Sequence, residues 1–218
     1  ITSTDQYSEL INELKKNKGS TSLKFREKMS RLAFNETAYY DAVISNYFNK
    51  FNNINFPKRK ILYTNLIENL RYGENPHQLG AFYSQNKKNK LEQIHGKTLS
   101  YNNYNDILAA ITISKSLPKN IGTVIVKHGN PCGVSALKNN LDSYKSALET
   151  DPMSAFGGIV SCNYKVTQKL ASMLNKIFLE VVVANGFDKK ALKVLKSKKN
   201  LRLIDSSKIS FNEVWKFN

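Results

Sequence analysis

Cysteine is nearly missing from this 218-residue chain, with Cys132 and Cys162 the only two. Such a pair is no disulfide framework and suits a reducing compartment, so a cytoplasmic location is expected. Long apolar runs are missing as well. No stretch reaches the length of a membrane span, and no secretory signal stands at the start. The glycine signatures of phosphate cradles are absent: neither Gly-x-x-x-x-Gly-Lys-Ser/Thr nor Gly-x-Gly-x-x-Gly occurs, which argues against ordinary nucleoside-triphosphate and dinucleotide enzymes. Acidic residues are scarce, 17 against 33 Lys and Arg, leaving a formal charge of +16.

That excess favours anionic partners. The lysines are spread along the chain, and the densest clusters, Lys58-Arg59-Lys60 and Lys196 to Lys199, are short. No basic run alternates with aromatics as a stacking platform would. Neither nucleic acid nor a membrane is expected as a partner, and many of the lysines read as solvated helix faces. A hydrophobic content of 41% is enough for a real core. The chain begins at Ile1 and ends at Asn218, straight after Val214-Trp215-Lys216-Phe217, and both ends read as cut.

Residues 1 to about 51 read as two or three helices. Ser3 and Gln6 resemble a capping box before Tyr7, Leu10, Ile11 and Leu14. A longer apolar face runs from Ser22 to Phe51, with a break expected near Asn35. No strand accompanies these helices, so they look like the closing elements of a domain whose sheet lies elsewhere. Asn52 to Lys60 is a polar linker. Short strands are expected at Ile61-Leu62-Tyr63 and Ala81-Phe82-Tyr83, a loop at Leu70 to Gln78, a hydrophilic turn at Lys87 to Lys90, and irregular chain from Leu91 to Tyr101. Asn105 to Leu117 then reads as a helix. Beyond it strands alternate with helices: Thr123–Val126, helix Leu137–Glu149, Gly158–Ser161, helix Val166–Phe178, Glu180–Ala184, helix Asp188–Lys199, and Leu201–Ile204. This is the pattern of a parallel or mixed sheet with crossovers.

Three stretches carry chemistry. Val124-Ile125-Val126 is a buried strand that stops at Lys127 and His128, with Asn130-Pro131 and Gly133 as turn punctuation. A titratable imidazole beside a fixed positive charge at a strand's carboxyl end suits a base and an anion stabiliser. A histidine satisfied in a turn explains the same residues. Pro131-Cys132 after His128 approaches a zinc-deaminase layout, but position 130 is Asn where that layout needs Glu, and position 135 is Ser where it needs Cys, so no metal is expected. Arg71 beside Tyr72-Gly73 offers a planar fork for phosphate, or is a surface arginine. Asp151-Pro152-Met153-Ser154-Ala155-Phe156-Gly157-Gly158 joins a helix to a strand. Its glycines allow close backbone approach and Phe156 can stack on a flat ring, unless Phe156 is simply core. Glu180 opens an apolar strand and either meets a ligand or faces solvent.

Leu70 to Gln78, Val126 to Gly133 and Asp151 to Gly158, in this order and spacing, with Leu99-Ser100-Tyr101-Asn102-Asn103, strongly resemble the bifunctional purine biosynthesis family, AICAR transformylase/IMP cyclohydrolase. The resemblance runs through nearly the whole chain. It implies an α/β protein in two parts. Residues 1–55 would be the C-terminal helices of an MGS-like cyclohydrolase domain, whose catalytic residues lie outside this chain. Residues 56–218 would be the N-terminal half of the transformylase domain, a cytidine-deaminase-like three-layer α/β/α subdomain without zinc. The implied reaction moves a formyl group from 10-formyltetrahydrofolate to the 5-amino group of AICAR ribotide. His128 would accept the proton, Lys127 stabilise the developing charge, Arg71 and Tyr72 bind the nucleotide, Gly157 and Phe156 line the pocket, and Glu180 face the folate. Family members are homodimers with shared active sites, and further substrate-binding residues would lie beyond Asn218. The competing reading is a basic, deaminase-like scaffold that binds nucleotide or nucleic acid without catalysis, and steep loss of binding with salt would mark that binding as charge alone.

Overall fold

The computed structural model describes residues 1–85 and 91–209. The expected turn at Lys87 to Lys90 lies outside the described residues. The chain divides into two compact units, Ile1–Thr64 and Asn65–Asn218.

In the first unit Ser3 accepts a hydrogen bond from the Asp5 N–H and opens a single 3-10 turn, Thr4–Gln6, ahead of helix α1, Tyr7–Lys16. The Gln6 side chain accepts instead from the Thr2 N–H at 2.9 Å, so the reciprocal box closes one residue early. Helix α2, Leu23–Phe51, is capped by Ser22 and runs without the break expected near Asn35. No proline or glycine lies within it to remove a hydrogen bond or loosen the backbone. The strand expected at Ile61-Leu62-Tyr63 does not form. Asn46 on α2 donates to the Ile61 carbonyl at 2.9 Å, and Tyr63 meets Tyr39 edge to face at 5.4 Å, so the segment packs on a helix.

The second unit begins with an antiparallel pair, β1 (Asn65–Leu70) and β2 (Gly80–Ser84). A six-stranded mixed sheet follows: β3 (Glu92–His95), β4 (Gly122–Lys127), β5 (Asn130–Ala136), β6 (Ile159–Cys162), β7 (Val181–Ala184) and β8 (Arg202–Asp205), in spatial order β3-β8-β7-β6-β4-β5. Strands β6, β7 and β8 are parallel, whereas β4 runs against β6 and β5, and β3 against β8. The helices are α3 (Tyr101–Ser116), α4 (Asn140–Thr150), a short α5 (Pro152–Ala155), α6 (Gln168–Leu174) and α7 (Lys189–Leu195).

Alternation along the central strands builds two cores. Val124, Val126, Ile159, Val181, Val183 and Ile204 face α3 through Ile107, Ala110 and Ile111. Ile125, Val160, Val182 and Leu203 face the opposite layer, where Tyr144, Leu170, Leu174 and Leu195 come from α4, α6 and α7. The result is a three-layer α/β/α unit. Burial on both faces is why these strands read as unbroken β-branched runs, and each fully buried Val, Ile or Leu contributes about 1.5–3 kcal/mol.

Three strands were not expected: β1, on residues left unassigned between Tyr63 and Leu70, and two in the larger sheet. The stretch Leu91 to Tyr101, read as irregular, contains β3, and the Asn-Pro-Cys-Gly stretch read as a turn is the start of β5. Both are edge strands, where proline, glycine and polar residues are tolerated.

Candidate active site

The apolar strand β4 ends at Lys127, and the chain reverses through only two residues, His128 and Gly129, to pair Asn130 with Lys127. Both turn residues have positive φ, 53° at His128 and 74° at Gly129. That is what a two-residue type I′ hairpin requires, because its backbone twist matches the flanking strands. Glycine adopts this region freely, but for histidine it costs about 1–2 kcal/mol. The turn is anchored from outside: the Gly129 N–H donates to Asp106 Oδ1 on α3 at 2.6 Å. The His128 ring is exposed, and its carbonyl accepts from Asn130 Nδ2 at 3.0 Å.

Register slips beside the turn, with Ile125 opposite Gly133 and Val126 opposite Pro131, so Cys132 is the extra residue of a β-bulge. Its thiol donates weakly to the Ile125 carbonyl at 3.5 Å. Burial pushes its pKa up, which disfavours a reactive thiolate.

Lys127 turns toward the loop before β6 and donates from Nζ to the Phe156 carbonyl at 2.8 Å. That loop is built for close contact. A Cβ on Gly158 would lie 2.9 Å from the Val126 carbonyl oxygen, and Gly157, at φ 76°, donates its N–H to the Phe178 carbonyl at 2.8 Å. Phe156 and Phe178 are both exposed, their rings 5.4 Å apart and tilted by 48°, so the pair offers an apolar wall to a flat ligand. Asp151 opens the loop. Hydrogen bonds from Ser154 hold its carboxyl below the usual range, with Lys127 adding a smaller attraction.

Glu180 stands just ahead of β7. Its N–H donates to the Gly158 carbonyl at 3.1 Å, and its carboxylate accepts from Asn103 Nδ2 at 2.8 Å. Arg202 Nη1 lies 3.7 Å from the same oxygen and is largely buried. Lys127, His128, Phe156, Gly157 and Glu180 therefore belong to one edge of the sheet. The carboxyl-end rule does not describe that edge, however. Because β4 runs against β6, the carboxyl end of β4 meets the amino ends of β6, β7 and β8.

Arg71 and Tyr72 lie in a loop between β1 and β2 that closes through Gly73 N–H to the Gln78 carbonyl at 2.7 Å. Arg71 is exposed, with its guanidinium carbon 5.7 Å from the Tyr72 ring centre. No direct bond joins them to Lys127 or His128 among the described residues; the link is α3, where Asn102 Nδ2 reaches the Glu74 carbonyl at 3.4 Å. The start of α3 thus touches three separate site segments through Asn102, Asn103 and Asp106. Sequence reasoning missed Asn103, Asp106 and Arg202 as site residues.

A concavity of about 690 Å³ lies elsewhere, lined by Glu68, Leu91, His95, Leu99 and Tyr104 among others and by none of the expected site residues. Tyr104 donates to Glu68 Oε2 at 2.8 Å, and burial followed by that carboxylate raises its pKa well above the ordinary phenol value. Among the described residues, no group of three or more His, Cys, Asp and Glu side chains could hold a metal, and no helix is long and apolar enough to cross a membrane.

These features define a three-layer α/β unit with a polar, lysine- and histidine-bearing edge. The chain belongs to the AICARFT/IMPCHase bienzyme family, whose model matches residues 1–217. Similar curated proteins are the bifunctional purine biosynthesis proteins PurH of Thermoanaerobacter sp. (strain X514), 45% identical over 202 residues, covering 91% of this chain and 39% of that protein, and of Acetivibrio thermocellus, 41% identical over 216 residues, covering 96% and 42%. The PurH of Prochlorococcus marinus (strain MIT 9515) is 43% identical over 215 residues, covering 94% and 41%. The chain spans about two fifths of the length of these curated relatives. Among solved structures, a dCMP deaminase from cyanophage S-TIM5 aligns with 44% of this chain and 91% of its own at 15% identity and a TM-score of 0.34, a likeness too slight to carry an argument.

Proposed function

We propose that this chain carries the catalytic pair of the formyl-transfer step in purine biosynthesis, in which AICAR ribotide takes a formyl group from 10-formyltetrahydrofolate. The single observation behind this reading is the Lys127 ammonium, bonded at 2.8 Å to the Phe156 carbonyl and followed at once by an exposed histidine in a strained turn. The 5-amino nitrogen attacks the formyl carbon and forms the new C–N bond. His128 takes the proton that nitrogen must lose. Lys127 offsets the negative charge on the formyl oxygen in the tetrahedral intermediate. The bond from that carbon to N10 of the folate then breaks, and N10 is reprotonated.

In this reading Phe156 and Gly157 form the wall beside the purine precursor, Arg71 and Tyr72 bind its phosphoribosyl end, and Glu180 faces the folate. Residues 1–55 are the last helices of the cyclohydrolase domain and 56–218 the first half of the transformylase domain. The assembly is a homodimer in the cytoplasm, and its mass in solution by light scattering checks the dimer. The test of function is turnover with both substrates in the complete gene product and in its His128→Ala variant. The variant is expected to lose about 10²–10⁴-fold in kcat while still binding AICAR ribotide. Near-normal turnover overturns the assignment.

A further inference from the structure

The tip of the hairpin that carries Lys127 and His128 extends past the last rung that joins β4 to β6, Val126 opposite Ile159. Among the described residues strand β5 is at the edge of the sheet, paired there with β4 alone, and the loop is two residues long. One of those residues is a histidine at φ 53°, a conformation that costs free energy and persists only where the surroundings impose it. The brace comes from α3. Asp106 Oδ1 accepts the Gly129 N–H at 2.6 Å, a short bond to an ionised acceptor and of the stronger kind. The helix is in turn fixed by Ile107, Ala110 and Ile111, all buried against the sheet. Asn103, three residues earlier on the same helix, holds Glu180 at 2.8 Å. One rigid element therefore sets both the histidine turn and the acid at the neighbouring strand.

We propose that Asp106 is a positioning residue for formyl transfer: by accepting the Gly129 N–H it fixes the type I′ turn and with it the place of the His128 imidazole. Its carboxylate acts through the turn. The inference rests on the formyl-transfer reading and adds a specific residue to it. A base misplaced by about 1 Å can lose on the order of 10²-fold in rate without losing substrate affinity. The bond needs only an acceptor oxygen, so a carboxamide at position 106 can still make it, whereas a methyl group cannot.

Kinetics of the complete gene product test this with Asp106→Ala and Asp106→Asn beside wild type and His128→Ala. Asp106→Ala is expected to lower kcat by roughly 10- to 100-fold with both KM values within about threefold of wild type, and Asp106→Asn to recover kcat to within about threefold. Hydrogen exchange at the Gly129 amide should quicken in the alanine variant only. Wild-type kcat in Asp106→Ala overturns the proposal, as does an equal loss in the alanine and asparagine variants, which would assign the effect to charge. Failure of the underlying reading looks different: wild type lacks formyl transfer, or His128→Ala retains it.

Discussion

Replacing Gly133 with alanine would set a methyl carbon 1.9 Å from the carbonyl oxygen of Ala147 and 2.8 Å from its carbonyl carbon. Gly133 pairs with Ile125 in β5, and Ala147 is a buried residue of α4, so the clash pits strand backbone against helix backbone. Ordinary contact begins near 3.4 Å, so the two must separate by about 1.5 Å. Neither atom is the tip of a flexible side chain that can swing away. Overpacking of this kind costs about 1–3 kcal/mol, and backbone on both sides puts the cost at the upper end, about 3 kcal/mol. In a unit of this size each kcal/mol moves Tm by about 2–4 °C, giving a fall of roughly 6–12 °C. Gly129→Ala is the matched control on the same hairpin. Its methyl would meet only Asn105 Nδ2 at 3.7 Å, but its φ is 74°, so only the left-handed backbone cost of about 1–2 kcal/mol applies. Thermal unfolding followed by calorimetry separates the two. A Gly133→Ala protein melting within about 2 °C of wild type, or one more stable than Gly129→Ala, refutes the claim that the glycine exists for strand–helix approach.

Alkaline instability follows from the buried thiol and phenol. Burial raises Cys162 from 9.0 to about 12 and Tyr144 from 10.0 to about 12. The folded state therefore keeps protons that the unfolded chain releases, so their contribution is intact below pH 9 and is lost as pH rises toward 12. Urea titrations between pH 9 and 11 should show stability falling, with a shallower slope, by up to about 1.4 kcal/mol per pH unit, in Cys162→Ala; an unchanged slope rejects the thiol's part. Asn163→Ala should cost about 2–3 kcal/mol in the same assay. Its side chain accepts the Gly122 N–H at 2.8 Å and donates to the Ser114 and Pro118 carbonyls at 2.8 and 3.0 Å, closing the end of α3. A loss under about 0.5 kcal/mol would mean that water replaces those bonds fully.

The part of the fold legible in the sequence is the part whose physics is local. Val124 to Val126, Ile159 to Ser161 and Val181 to Ala184 announce themselves because strands buried on both faces favour unbroken runs of small and β-branched residues. Ile61-Leu62-Tyr63 carries the same apolar signal and misleads, because its carbonyl partner is Asn46 on a helix rather than a neighbouring strand. Asn130 to Gly133 misleads in the opposite direction. Pro131 and Gly133 look like turn residues, yet one sits at a bulge on an edge strand and the other where α4 leaves no room for a side chain. The site divides the same way. Lys127 and Phe156 stand in recognisable stretches and meet, whereas the partners of Glu180 lie on α3 and β8, at sequence distances no local pattern encodes.

Helix α3 nonetheless carried a signal of its own. Four of its first six residues, Asn102, Asn103, Asn105 and Asp106, are asparagine or aspartate, both poor helix formers. A helix that only had to fill the space above the sheet would not concentrate them there, and such a local conflict marks a position chosen for something else. Capping accounts for one: Asn103 Oδ1 accepts the Ser100 N–H at 3.1 Å. The same side chain spends its amide on Glu180, while Asn102 and Asp106 reach outward to Glu74 and Gly129. The propensity penalty is thus the local trace of long-range contacts. It falls on α3 because that helix starts where the reversed strand β4 ends, beside the amino ends of β6 to β8. At this end of the strands three parallel strands begin and an antiparallel one stops, and the polar groups that tie the loops there together come from the helix above the sheet.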